Sequence, residues 1–150
     1  MTSSSSSALP AYIEHLHARI RARSNTPTPR DHQENLAVLP DRVSELCKTD
    51  PRECLALIVS ALEEVTSAHL VQAIGDGLLE DLLNQNAAAI HDEIARLLRS
   101  NQRFRFAFAS GTHSSVDPSL INEWVELLRD LGTTKQAERK RLWRVPFQSA

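Results

Sequence analysis

Residues 73–86 read AIGDGLLEDLLNQN, with two glycines two positions apart in a stretch that otherwise favours helix. A Gly-Asp-Gly can be a phosphate cradle, a calcium loop, a hinge or a turn, and the choice bounds both fold and chemistry. A phosphate cradle needs a glycine-rich turn leading from a strand into a helix, commonly with a lysine. Gly75-Asp76-Gly77 has no strand before it, no lysine, and acidic neighbours that repel phosphate. A calcium loop needs oxygen ligands at alternating positions and a closing glutamate, but Leu78 and Leu79 fall at ligand positions. The glycines therefore read as punctuation. Gly75 is expected to end a helix from Ser67 as its C′ residue, and Asp76-Gly77 to form the turn. Leu78 would open the next helix, with Glu80 at N3 meeting free backbone N–H groups. Leu78, Leu79, Leu82 and Leu83 would supply its core face.

Helix signals continue on both sides. Leu9, Tyr12, Ile13, Leu16 and Ile20 form a stripe at helical spacing, ended by a turn-rich linker at 24–30. Asp31 and Glu34 have capping-box spacing, and the apolar period from Leu36 to Cys47 runs through Pro40. Proline there clashes with the carbonyl four residues back, so 31–49 is either one kinked helix or two short ones. Asp50-Pro51-Arg52-Glu53 offers an N-cap, a proline at N1 and a glutamate at N3. Cys54, Leu55, Ile58, Ala61, Leu62 and Val65 follow as one stripe. Asp117-Pro118 repeats the device, with Leu120, Ile121, Trp124, Val125, Leu128 and Leu131 facing inward and Gly132 at C′. A further helix is expected from Ala87 to Ser100.

One segment conflicts. RFRFAFA at 103–109 alternates with the period of a strand, yet a lone strand would leave its backbone unpaired. Read as a helix, it turns Phe104, Ala107 and Phe108 inward and Phe106 outward, which makes Phe106 a candidate contact residue. The fold expected is all-α, a single domain of about 6–8 short helices in a solenoid-like or irregular bundle. Residues 1–7 are expected to form a disordered polar tail and 8–150 the domain, with a basic C-terminal segment at 133–150.

The composition suits one soluble domain of 150 residues, 41% hydrophobic and 24% charged. No apolar run approaches the roughly 20 residues that cross a bilayer, and MTSSSSSALP lacks the basic and apolar regions of a secretion signal. Cys47 and Cys54 are too few for a disulfide framework or a four-ligand zinc site, and read as buried thiols. A cytoplasmic location is expected, with neither metal nor cofactor.

Net charge is −2, but it is unevenly spread. From Glu34 to Ile94 there are twelve acidic residues against three basic, a balance of −9. From Ala95 onward ten basic residues meet five acidic, a balance of +5, and the first 33 residues carry +2. Either the middle presents a single-sign surface that steers association, or these charges pair across the fold.

Few constellations suggest catalysis. Ser110, His113, Ser114 and Asp117 share one loop, but triads converge in space rather than in sequence, and Asp117 has sufficient work as an N-cap. His15 and His17 diverge by about 200° on a helix and cannot share a metal. His91-Asp92-Glu93 has no Pro-Cys-x-x-Cys partner, and no His-Glu-x-x-His occurs, so all six histidines read as surface residues. The C-terminal segment places Lys135, Arg139, Lys140, Arg141 and Arg144 around Trp143. Such a segment can hold a nucleic-acid backbone and stack a base. It can also dock on the acidic middle, burying Leu142, Trp143, Val145 and Phe147, and four apolar residues in so short a span favour docking.

Gly75-Asp76-Gly77-Leu78-Leu79-Glu80-Asp81-Leu82-Leu83, followed by Ile90, Ile94, Ala95 and Arg103-Phe104-Arg105, resembles a bacterial group of small helical domains of unknown function. Its members share a Gly-x-Gly-x-Leu-Glu-x-Leu-Leu core, and the likeness covers roughly residues 50–110. It implies a small α-helical domain and brings no activity with it; Leu78 stands where many relatives have proline. The function expected is non-enzymatic: an immunity or antitoxin-like module that captures a basic partner, such as a toxin, without any membrane. Its contacts would be Glu63, Glu64, Asp76, Glu80, Asp81, Asp92, Glu93 and Phe106. The alternative is nucleic-acid binding through Arg139, Lys140, Arg141, Trp143 and Arg144, and the third is a hydrolase using the 110–117 loop.

Overall fold

The computed structural model describes residues 4–24 and 41–145, and among them every regular element is helical. The elements are α1 (Ser4–Ser24), α2 (Asp41–Thr49), α3 (Pro51–Glu64), α4 (Ala68–Ile74), a π-helical turn (Gly75–Leu79), α5 (Glu80–Asn86), α6 (His91–Ser100), α7 (Gln102–Ser110), α8 (Pro118–Asp130) and α9 (Lys135–Leu142). Ser4–Ser7, expected in a disordered tail, form the first turns of α1. The expected linker from residue 25 onward and the break at Pro40 lie outside the described residues.

Local chemistry starts most of these helices. Asp50 Oδ1 accepts from Glu53 N at 3.2 Å, and Ser67 Oγ from Leu70 N at 3.2 Å. Asn101 Oδ1 accepts from Phe104 N, Asp117 Oδ1 from Ser119 N, and Thr134 Oγ1 from Ala137 N. Each cap satisfies an N–H that the helix leaves orphaned, a contribution of about 1 kcal/mol. Pro51 and Pro118 sit at the first helical positions, where no N–H is needed.

Two buried helices organise the rest. α3 packs on α1, α2, α4, α5 and α7, and α7 packs on α3, α4, α6, α9 and the π turn. Their long-range contacts make this an irregular bundle rather than a stack in which each unit meets only its neighbours. α3 buries Cys54, Leu55, Leu57, Ile58, Ala61 and Leu62. Around α7, Phe104, Phe106, Ala107, Phe108 and Ala109 are all buried. Phe106 therefore does not point outward: at 1% exposure it belongs to the core. A helix apolar on every side is a buried helix, and the strand-like alternation of RFRFAFA follows from that. Arg103 and Arg105, 200° apart, leave the core in different directions. Arg103 donates to Leu62 O at 2.6 Å and Val65 O at 2.8 Å at the end of α3. Arg105 donates to Leu98 O at 2.8 Å near the end of α6.

The AIGDGLLEDLLNQN segment also departs from expectation. Gly75 does not end a helix; its φ of −66° and ψ of −44° are helical, and the chain passes through the π turn into α5 without a corner. What Gly75 supplies is space. A Cβ there would lie 2.0 Å from Ala107 O, against the backbone of α7. A Cβ on Gly111 would in turn lie 3.1 Å from Gly75 O. Ala107 and Gly111, four residues apart, form the small-residue site into which the helix at Gly75 fits. The wide turn absorbs one residue, and Leu78, Leu79, Leu82 and Leu83 are all buried as expected.

Candidate functional site

Continuity through the π turn sets the position of Glu80. Its carboxylate does not cap its own helix but reaches the loop after α7. Glu80 Oε1 accepts from Thr112 N at 2.8 Å, Thr112 Oγ1 at 2.7 Å and His113 N at 2.9 Å. Consecutive N–H groups pointing at one oxygen form an anion nest, made here by His113 at φ +56°. Burial pushes the Glu80 carboxyl up, but the three donors outweigh it and hold it below the usual carboxylate range.

The loop occupies its own polar groups in the same way. Ser110 Oγ donates to Phe106 O at 2.9 Å, the i−4 carbonyl of its helix. His113 is buried, not on the surface as expected; it stacks on Phe108 with centroids 4.7 Å apart and donates from Nε2 to Phe108 O at 2.8 Å. Burial lowers its pKa, and Lys135 nearby adds to this against the Phe108 carbonyl and Glu80. With Nε2 bound to Phe108 O and Ser110 Oγ to Phe106 O, these two side chains do not meet as nucleophile and base. Asp117 is occupied at the start of α8, accepting from both Ser119 N and Ser119 Oγ.

The acidic residues are spread over several elements. Glu63 and Glu64 are exposed at the end of α3, Asp76 on the π turn, Asp81 on α5, and Asp92 at the start of α6. Glu93 accepts from Arg52 Nε at 3.0 Å. Arg52, which holds Glu93, and Glu63 are eleven residues apart on α3, about 16 Å along that axis. Three of the expected contacts are engaged otherwise: Glu80 serves the 111–113 loop, Glu93 pairs with Arg52, and Phe106 is buried.

The basic C-terminal segment docks, on α7 rather than on the acidic middle. Leu142 is buried and Val145 packs on the core, while Trp143 is 50% exposed and Phe147 lies outside the described residues. Lys135 Nζ donates to Gly111 O at 2.8 Å and Arg139 to Ala109 O at 3.3 Å. Cations thus meet the carbonyl end of α7, where the helix dipole favours them. Between α9 and α7, buried Glu138 accepts from Thr133 Oγ1 at 2.6 Å and Arg141 at 2.7 Å. Local sequence carries no sign of the Lys135 and Arg139 partners, because those contacts span 24 and 30 residues. The one readable hint is position: Arg105 closely follows the end of α6, whose Leu98 carbonyl it meets.

Cys47 and Cys54 are both buried free thiols. Among the described residues no group of three potential ligands is placed to hold a metal, and no helix is long and apolar enough to cross a membrane. No family model, curated protein or solved structure matches the chain.

Proposed function

We propose that the chain is a non-enzymatic protein-binding module that captures a basic protein through an acidic helical surface, acting as an immunity or antitoxin-like partner. The observation that carries this reading is the unequal use of the two charges. Arg103, Arg105, Lys135, Arg139 and Arg141 are engaged with backbone carbonyls or with buried Glu138. Except for Arg103, which lies at the end of α3 beside Glu63, they are therefore diverted from neutralising the acidic middle. Among the described residues the exposed carboxylates of Glu63, Glu64 and Asp81 form no ion pair, although Arg103 donates to Glu63 O at 3.4 Å and Arg19 acts on Asp81 through space, and Asp92 meets His91. An uncompensated acidic surface speeds encounter with a basic partner and discriminates against acidic ones. The substrate cleft of a nuclease toxin is a partner of that chemistry.

Affinity capture from host extract tests the reading, comparing the parent chain with a variant carrying Glu63→Gln, Glu64→Gln, Asp81→Asn and Asp92→Asn. A basic protein should be retained at low salt, released at high salt and absent from the variant. Identical captured sets overturn the acidic-surface reading. Co-expression with a neighbouring toxic reading frame should relieve its toxicity, and no relief removes the immunity assignment.

A further inference from the structure

On α9 and the turn that follows, the residues facing the core and those facing solvent separate cleanly. Glu138 and Leu142 are buried, and Val145 packs beside them. The turn continues past Leu142, since Arg144 N and Val145 N both donate to Arg141 O, at 3.0 and 3.1 Å. Lys140, Trp143 and Arg144 therefore stand at helical i, i+3 and i+4, on one outward face. All three are exposed. Trp143 is one of two large apolar side chains exposed among the described residues. A second element steadies its ring: exposed His69 of α4 meets it with centroids 4.9 Å apart at 74°. The one carboxylate of α9, Glu138, is buried, so no exposed acid on that helix offsets Lys140 and Arg144.

We infer that Lys140, Trp143 and Arg144, with His69 beside them, form a binding site for single-stranded nucleic acid, distinct from the acidic surface. A half-exposed indole braced by His69 offers π surface on which a base stacks whatever its identity, and flanking cations hold the backbone. Docking of α9 sorts the basic residues. Lys135, Arg139 and Arg141 have internal partners, which leaves Lys140 and Arg144 for phosphates. The site is therefore narrow, one stacking platform and two phosphate contacts, and its affinity is modest and salt-sensitive.

Fluorescence anisotropy of a labelled oligothymidylate of about 15 nucleotides tests this on the full chain. Two single-strand phosphate contacts give a log–log salt slope near −1.4, so raising salt from about 20 to about 200 mM should weaken binding about 25-fold. Trp143→Ala should weaken it at least about 5-fold through lost stacking. Arg144→Gln should reduce the salt slope by about 0.7. Because these side chains are exposed, the variants keep the parent's fold. No anisotropy change at low salt, or unchanged affinity in Trp143→Ala, overturns the inference. So does displacement of the oligonucleotide by polyglutamate as effective as by unlabelled oligothymidylate, since charge alone would then be read.

Discussion

At Gly75 the backbone is ordinary right-handed helix, and the restricted quantity is space: Ala107 O lies 2.0 Å from where a Cβ would be. At Gly132, in the turn from α8 to α9, space is open for 4 Å around and the restricted quantity is the backbone angle, φ +81°. Both glycines stand just past an apolar helical stripe, and from sequence both read as C′ residues. At Gly132 the reading holds. Gly132 N donates to Arg129 O at 2.9 Å and Thr133 N to Leu128 O at 2.9 Å, the paired bonds of a Schellman cap. At Gly75 it fails, because what demands the glycine is a helix crossing formed with a distant part of the chain.

The largest expected effect follows from that crossing. Gly75→Ala must part α4 from α7 or bend one of them, and the obstructing atom is a backbone carbonyl that no rotamer change moves. Such overpacking should cost at least about 3 kcal/mol, read as a lower urea midpoint. Adding Ala107→Gly should restore little of it, since the carbonyl remains. Full rescue would show that the side chain of Ala107 sets the distance instead.

Glu80 depends on the same crossing, and its removal comes second. Glu80→Gln should cost about 1–2 kcal/mol, because the charge that three donors address is lost. The pH dependence identifies the cause. The folded state holds the Glu80 proton less tightly than the unfolded chain does. On acidification the unfolded chain therefore takes up the proton first, and stability falls with pH. The gap between parent and variant should be full at neutral pH and should close as pH drops below about 4.3, the unfolded value. A gap that persists at acid pH would assign the loss to packing.

These two positions show what could be read from residue order alone. Helix starts were legible at Asp50, Ser67 and Asp117, because a cap is a contact between residues two or three apart. The α3 stripe was legible for the same reason: its period is local. Phe106 and Glu80 were not. Whether α7 is buried on one side or on all depends on how many helices surround it, and RFRFAFA does not contain that number. The carboxylate of Glu80 suits an N-terminal turn, and only the π turn shows that it serves another loop. The charge asymmetry was legible as a total but not in its use, since Lys135 and Arg139 could have met the acidic middle and instead meet helix carbonyls, and Arg141 meets Glu138.

Gly132 comes third. An alanine placed there keeps its surroundings but must adopt a left-handed angle, which costs about 1–2 kcal/mol. Asparagine tolerates that angle better, so Gly132→Asn should lose less than Gly132→Ala. Equal losses would point to a need for backbone entropy or solvation rather than for φ.

Gly77 separates the two requirements, because it has neither. Its φ lies outside the left-handed range, and the nearest atom to an added Cβ, Arg19 Nη1, is at an ordinary contact distance of 3.5 Å. Nothing in the folded state then requires glycine, while the unfolded chain loses freedom when alanine replaces it. Gly77→Ala should therefore stabilise the protein slightly, by about 0.5 kcal/mol, raising the urea midpoint without changing the slope. A destabilisation of similar size would mean that the turn at 75–79 needs glycine's flexibility after all. The contrast between Gly75 and Gly132 would then have a third member, a glycine required by the π turn itself.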